Sequence, residues 1–169
     1  MATQHKDSSL QLAPDAGTGP QTGGGEAQDY AVAEGTLTSA QVLALNATPI
    51  TVLAAPGAGF ANVVLDATFW TAGGTAYGGI AAGEDLALKY TNSSGAEASP
   101  RVETTGWLDQ TTAQVRFIQG LGTSAAVGDV APVANAVIVA QLLTGEITTG
   151  NYAIKYRITY KTIPTTAPF

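Results

Sequence analysis

The segment near the C-terminus alternates between two kinds of side chain over nine residues. Large apolar or aromatic residues occupy one set of positions and mostly charged residues occupy the other: Tyr152, Ile154, Tyr156, Ile158 and Tyr160 against Lys155, Arg157, Thr159 and Lys161. A period of two is typical of a β-strand, and β-branched and aromatic residues favour that conformation. The segment therefore predicts a strand as the last element of the fold.

Shorter segments of the same type recur along the chain between turn-forming residues. They cover residues 50–53, 63–70, 86–90, 114–117 and 137–140, with a weaker candidate at 101–108. Strands at this spacing, separated by Gly, Pro and Asn, are typical of an all-β sandwich. A turn or two of helix is favoured only over residues 38–45, where Ser39 can serve as the N-cap. We expect seven or eight strands in a single β-sandwich.

The composition changes near residue 35. Residues 1–35 contain five acidic residues against one basic residue, together with two prolines and the run Gly23-Gly24-Gly25. A segment with so few large apolar residues cannot bury enough surface to offset its ordering entropy. We predict three parts: an extended N-terminal arm at 1–35, disordered alone and ordered by partners, a β-sandwich domain at 36–163, and a short C-terminal tail at 164–169.

The composition also excludes most classes of catalytic and metal-binding site. The chain has no cysteine and one histidine, His5, so disulfides, Cys-rich zinc sites and thiol nucleophiles are excluded. Seven basic residues and a net charge of −6 argue against nucleic-acid binding. No apolar run approaches the ~18–20 residues of a membrane span, and the N-terminus lacks a signal sequence. We expect a non-enzyme without cofactor or metal, made in the cytoplasm, with no nucleic-acid or membrane partner.

Two loop motifs each allow a functional and a purely structural interpretation. Pro56-Gly57-Ala58-Gly59 resembles a phosphate-binding loop, but a strand rather than a helix follows it, which favours a tight turn. Glu84, Asp85 and Asp129 offer oxygen ligands for calcium. Because no EF-hand-like loop surrounds them, solvated loop side chains are the favoured interpretation.

Two sets of strand residues also allow alternatives. Aromatic residues can form a sugar-stacking platform or can belong to the core and to interfaces, and the second is favoured: Trp70, Trp107, Tyr77 and Tyr90. Lys155, Arg157 and Lys161 share one strand face. They can pair with an acidic neighbour, or they can form a solvated edge that discourages strand addition.

The low charge points to a protein that spends its time in contact with other proteins. Only 12% of residues are charged, against roughly 25% in a typical soluble domain. Charged residues are depleted in the same way at the centre of protein–protein interfaces. We therefore expect a subunit that is packed against others.

Several stretches resemble a family of small head proteins of tailed bacteriophages. They are the run from Leu43 to Gly59, Gly74-Thr75-Ala76-Tyr77 with Leu86-Ala87-Leu88-Lys89-Tyr90, Gly106-Trp107-Leu108-Asp109, and the closing segment from Thr148 to Tyr160. The resemblance covers residues 36–163. It implies a jelly-roll-like antiparallel β-sandwich, often trimeric, that acts as a capsid cement (decoration) protein. The implied partners are the major capsid protein and further copies of the chain, on the outer surface of the virion.

The arm is the predicted partner-binding segment. Gly and Pro give it reach, and backbone hydrogen bonds would hold it on a neighbouring subunit. The predicted contact residues are Gly17, Gly19, Gly23, Gly24, Gly25, Tyr30 and Val32. The leading alternative is a receptor- or glycan-binding jelly-roll module of a phage tail or spike. A hydrolase is the weakest alternative, since the sequence contains no recognisable pair of catalytic acids.

Overall fold

The structure is a computed structural model that describes residues 30–120 and 132–166. These residues form eight strands and one short helix, in the order β1 Ala31–Leu37, α1 Ser39–Leu43, β2 Ile50–Leu53, β3 Phe60–Gly73, β4 Asp85–Tyr90, β5 Val102–Glu103, β6 Thr112–Gln119, β7 Ile138–Leu142 and β8 Ile154–Pro164. The predicted all-β sandwich is confirmed. In the described ranges, no helix has the length and apolar character needed to cross a membrane.

The strands form two four-stranded antiparallel sheets. Sheet I has the order β1-β8-β3-β6 and sheet II has the order β2-β7-β4-β5. The pairing is nested, since β1 pairs with β8, β2 with β7, β3 with β6 and β4 with β5. The β3–β8 and β4–β7 pairs complete the two sheets. As a result β8, the most clearly predicted strand, lies inside sheet I rather than at its edge.

The core fills the space between the two sheets. Alternate residues of β8 and β3 point inward, and Ile154, Ile158 and Phe69 are fully buried. Phe69 packs at a tilt against Trp107, with ring centroids 5.9 Å apart. From sheet II, Leu86, Leu88, Ile138 and Leu142 enter the same cluster. The predicted alternation of β8 is confirmed, with Lys155 and Arg157 exposed.

The first strand begins inside the segment predicted as the arm. Residues 31–35 pair with β8, so the sandwich starts at Ala31 rather than at residue 36. Three of the four inward positions of β1 carry small residues, and β8 carries large residues opposite them: Ala31, Ala33 and Gly35 face Tyr160, Ile158 and Tyr156. Gly35 lies opposite Tyr156, and a Cβ added to Gly35 would lie 2.3 Å from the Tyr156 hydroxyl oxygen. Because most of its residues are small, the sequence of β1 resembles that of a flexible arm. At the other end β8 extends to Pro164, one residue past the predicted boundary.

The short helix is capped one residue earlier than predicted. Thr38 rather than Ser39 is the N-cap, and it forms a capping box with Gln41. The Gln41 N–H donates to the Thr38 hydroxyl at 3.3 Å, and the Thr38 N–H donates to the Gln41 side-chain oxygen at 2.8 Å. Reciprocal bonds of this kind satisfy two otherwise unpaired donors. Val42 is completely buried and anchors the helix to the core.

Candidate functional site

Sheet I exposes large apolar side chains on the surface that faces away from the core, here called its outer face. Trp70 on β3 is 37% exposed, and Val115 and Phe117 on β6 are 55% and 58% exposed. In the β3–β6 register Val115 lies directly opposite Trp70, and Phe117 lies opposite Thr68 on the next outward row. Val32 on β1 is also exposed, at the other side of the sheet. Trp70, Val115 and Phe117 thus form an exposed apolar surface on two adjacent strands.

β6 is inverted relative to the usual pattern of a half-buried strand. Its apolar residues Val115 and Phe117 point to solvent, whereas Gln114 and Arg116 occupy the positions that face the core side. The sequence predicted this strand and its alternation, but alternation alone does not say which face is buried. Most strands bury their apolar face. Among the described residues, this outward-facing apolar surface is therefore the strongest indication of a contact with another molecule.

The inversion is possible because β6 lies at the edge of its sheet. Arg116 extends from the margin of the sandwich and donates to the carbonyl oxygen of Gly106 and, at 3.0 Å, to that of Val115. The guanidinium is thus satisfied by backbone oxygens without entering the core. Ile118, the next residue on the inward side, packs against the core cluster.

Charged residues occupy the middle of the outer face. Arg157 on β8 forms an ion pair with Glu34 on β1 at 3.3 Å, and both side chains are more than half exposed. The Lys155 ammonium lies 5.2 Å from the centre of the Trp70 ring. A groove of about 480 Å³ runs between them, lined by Glu34, Gly35, Thr36, Thr68, Trp70, Lys155, Tyr156 and Arg157. Of the two alternatives for these cations, the solvated edge is wrong because β8 is an inner strand, and Glu34 is the acidic neighbour of Arg157.

The sugar-stacking platform, the less favoured alternative for these aromatic residues, does not form. Trp107, Tyr77 and Tyr90 are at most 2% exposed and belong to the core. Tyr77 and Tyr152 meet edge to face with centroids 4.8 Å apart, and the Tyr90 hydroxyl donates to the Asn62 carbonyl at 2.8 Å. Of the four aromatic residues, only Trp70 reaches solvent. The favoured interpretation as core and interface residues agrees with these positions.

The acidic loop residues serve the fold. Glu84 is 1% exposed, and its carboxylate accepts hydrogen bonds from the Thr144 and Gly145 N–H groups at 3.0 and 2.9 Å. Burial and then the nearby Glu103 carboxylate raise the pKa of Asp85. Asp129 lies outside the described residues. Within the described part of the chain, no three acidic or histidine side chains come together to hold a metal. Glu84 joins the β4 region to the loop after β7.

The predicted partner-binding residues fall into two groups. Gly17, Gly19, Gly23, Gly24 and Gly25 lie outside the described residues. Tyr30 and Val32 lie at the start of β1 and are 53% and 44% exposed. Val32 lies opposite Thr159 on the outer face of sheet I. The two described residues are therefore on the same sheet as the apolar surface of β3 and β6, which the sequence did not single out.

The chain has no detectable relatives in the comparisons with known proteins. No family model matches it, no curated protein is significantly similar to it, and no solved structure matches it. The resemblance to phage head proteins thus stays a prediction.

Proposed function

We propose that this protein is a virion structural protein, a capsid cement (decoration) subunit that binds the outer shell of a tailed-bacteriophage head and stabilises contacts between major capsid proteins. The observation that carries the proposal is the outward-facing apolar surface formed by Trp70, Val115 and Phe117. A shell protein needs a contact surface rather than a reaction centre. In this proposal the outer face of sheet I is that surface.

The energetics of burial support a docking role. Covering an apolar side chain stabilises a complex by roughly 25 cal/mol per Å² of apolar area removed from water. Aromatic side chains contribute the most area and dominate interface energies. Trp70 and Phe117 are the two aromatic residues of the outer face, and they lie on adjacent strands. A major capsid protein that covers both side chains would bind more tightly. The sandwich would not need to change its conformation for this contact.

The order of the strands supports the jelly-roll part of the proposal. The nested pairs β1–β8, β2–β7, β3–β6 and β4–β5 are those of one long eight-stranded hairpin folded over on itself. Jelly rolls have eight strands in two sheets and recur in viral capsid domains. The fold alone does not imply a function, so this support is an analogy.

The strand to which residues 1–29 connect gives further support. Residues 1–29 join the sandwich at β1, an edge strand of sheet I. A partner that is held by the outer face of sheet I would lie beside the strand to which the arm is attached. Two contacts on one partner raise avidity well above that of either contact alone.

Shell-binding measurements test the proposal. Phe117→Thr removes an exposed aromatic ring and introduces a β-branched side chain, which favours the strand conformation. We expect this variant to bind purified shells at least about tenfold more weakly, since the loss of an aromatic anchor costs 1.4 kcal/mol or more. Val133→Thr is the control because Val133 is exposed but lies outside the strands of sheet I.

The number of copies of this protein per virion is the decisive measurement for the proposal. A cement protein is present in virions at a copy number comparable to that of the major capsid protein, whereas a tail or spike component is present in far fewer copies. Quantitative mass spectrometry of purified virions measures this ratio. Unchanged shell binding by Phe117→Thr, or a copy number typical of a tail, would overturn the proposal.

A second candidate function, glycan binding, is favoured by one observation. The groove of about 480 Å³ places the exposed Trp70 ring beside the Glu34–Arg157 ion pair. A flat aromatic ring next to polar groups is suited to stacking against a sugar and to binding its hydroxyl groups. A glycan array tests this candidate, with Trp70→Ala as the variant that should lose any signal. Absence of binding by the native chain would exclude it.

A further inference from the structure

One edge of β6 pairs with no other strand in the described residues. β6 has eight residues, Thr112–Gln119, and within the described ranges its only strand neighbour is β3. Exposed edges are commonly blunted by lysine, proline, a bulge, a very short strand or an inward-pointing charged residue. β6 contains no lysine or proline, and its pairing with β3 shows no register shift. The edge is therefore long and regular, and Arg116 is the one edge-protecting residue on it.

The alternation of backbone hydrogen bonds along β6 shows which residues direct their N–H and C=O groups away from β3. Gly120, directly after β6, donates its N–H to the carbonyl oxygen of Leu65 on β3. In an antiparallel ladder alternate residues direct their N–H and C=O groups to the same neighbour. Ile118, Arg116 and Gln114 therefore face β3. The backbone groups of Ala113, Val115 and Phe117 face away from it, and these include the residues with the exposed apolar side chains.

We propose that β6 pairs with β6 of a second copy of this chain, antiparallel and about a two-fold axis at Val115, to form a continuous eight-stranded sheet. In this register Val115 lies opposite the partner's Val115, and Phe117 lies opposite the partner's Ala113. Each such pair exchanges two backbone hydrogen bonds. A two-fold contact of this kind is closed, because the same surface is used on both copies.

Charge and the number of paired residues select this register over its neighbours, since an axis at Gln114 would pair fewer residues of the strand. Arg116 is the only charged residue on β6. With the axis at Val115, Arg116 lies opposite the partner's Gln114, and the same two side-chain types already meet within one chain at 3.4 Å. An axis at Arg116 would place two arginines opposite each other, which is destabilising. An axis at Phe117 would pair fewer of the strand's residues.

The paired edge would extend the apolar surface of each copy. Trp70 lies opposite Val115 within one chain, so the dimer would carry a row of two tryptophans flanking two valines. The carbonyl oxygen of Val115 already accepts one bond from Arg116, and its second lone pair is open to the partner. This pairing concerns the free protein and does not depend on the proposed capsid role.

A charge-swap experiment tests the two-fold contact. Only a residue on the axis meets its own copy, so Val115→Lys places two ammonium groups together and Val115→Glu places two carboxylates together. The native chain should have about twice the 17.1 kDa mass of one copy by light scattering. Each variant should raise the dimer Kd by about 100-fold, and an equimolar mixture of the two should restore a dimer. Circular dichroism checks that each variant folds.

The control uses the opposite edge of the same sheet. Val32→Lys introduces the same charge at an exposed valine of β1 and should leave the native dimer intact. Hydrogen exchange gives a second measurement: the Ala113, Val115 and Phe117 amides should be protected in the native chain and exposed in Val115→Lys, whereas those of Gln114 and Arg116 stay protected in both.

Three results would overturn the pairing. A native monomer with protected Val115 and Phe117 amides would mean that another segment of the same chain covers β6. A native trimer that Val32→Lys dissociates would mean that β6 pairs with β1 of the next copy, in line with the trimer that the family resemblance implies. A dimer that tolerates Val115→Lys would place its interface elsewhere. Because shells are absent from all these measurements, none of these results bears on capsid binding.

Discussion

The two sheets differ in what covers their outward-facing residues. In sheet II, Ala87, Val139 and Gln141 point away from the core, yet they are 0%, 4% and 7% exposed. In sheet I the equivalent outward positions include Val115 and Phe117, which are more than half exposed. Among the described residues, the outer surface of sheet II is covered by the chain itself and that of sheet I is bare. The covered surface contributes to stability, and the bare one is available to a partner.

The segment after α1 accounts for part of the cover on sheet II. The Asn46 side-chain amide donates to the Leu142 carbonyl at 2.8 Å, and the Gln141 amide donates to the Asn46 carbonyl at 3.3 Å. The Ala47 N–H donates to Glu146 at 2.8 Å. These bonds attach the segment to β7 and to the loop that follows it. In the described residues sheet I has no comparable segment over Val115 and Phe117.

The largest expected effect comes from the same substitution on the two faces of sheet I. Phe69→Ala removes a fully buried ring that packs against Trp107, and we expect it to lower the free energy of unfolding by about 3–5 kcal/mol. Phe117→Ala removes an exposed ring on the neighbouring strand and should change it by less than about 0.5 kcal/mol. Urea unfolding measures both values.

This pair of variants must be compared at a protein concentration at which the chain is monomeric. A dimer interface at β6 would add the dissociation free energy to the apparent stability of the native chain. If Phe117→Ala destabilises the monomer as much as Phe69→Ala does, the distinction between an inner and an outer face of sheet I is wrong.

The next effect compares a buried carboxylate with an exposed one. Glu84→Ala leaves the Thr144 and Gly145 N–H groups without their acceptor, and we expect a loss of about 3 kcal/mol because both bonds involve a charged group. Glu34→Ala, on the outer face, should cost under about 1 kcal/mol. Thermal unfolding at neutral pH shows which of the two substitutions lowers the stability more. Equal melting temperatures would contradict the structural role assigned to Glu84.

The third effect concerns alkaline pH. Burial raises the pKa of Tyr90 from 10.0 to about 12 and that of Tyr152 also to about 12. The folded state therefore keeps these protons at a pH at which the unfolded chain has lost them. The stabilisation is complete below pH 10 and is lost as the pH rises through 12. For the fully buried Tyr90 alone, the loss is roughly 2–3 kcal/mol.

Unfolding free energies measured from pH 8 to pH 12 test this effect, with Tyr90→Phe as the comparison. The variant lacks the hydroxyl that donates to the Asn62 carbonyl, so it should be less stable at pH 8. It should also lose less stability between pH 10 and pH 12 than the native chain. Parallel pH profiles would show that Tyr90 titrates with an ordinary pKa in the folded state.

The sequence predicted the fold better than the candidate site. Seven of the eight strands lie at or near predicted segments, because turn residues and alternation are local signals. β1 was missed because three of its four inward residues are small, and for Gly35 the reason is Tyr156 on a strand more than a hundred residues away. No local pattern carries that information.

The outer face was missed for a related reason. The alternation of Val115 and Phe117 with polar residues was visible, but the orientation of β6 depends on its place at the edge of sheet I. Edge position is set by pairing with β3, which is non-local. The low overall charge was the one sequence signal that pointed to an exposed contact surface, and it did not indicate where that surface lies.

The smallest expected effect concerns the ion pair on the outer face. Glu34 and Arg157 are 3.3 Å apart and well exposed, so water and salt screen their attraction. A double-mutant cycle with Glu34→Gln and Arg157→Gln should give a coupling of about 0.2–1 kcal/mol that falls as salt is added. A larger, salt-insensitive coupling in the monomer would require that something already covers the outer face. Bound to a shell or to a glycan, the same pair would lose its water, and the coupling should then rise. The cycle thus measures whether the bare face of sheet I is bare in solution.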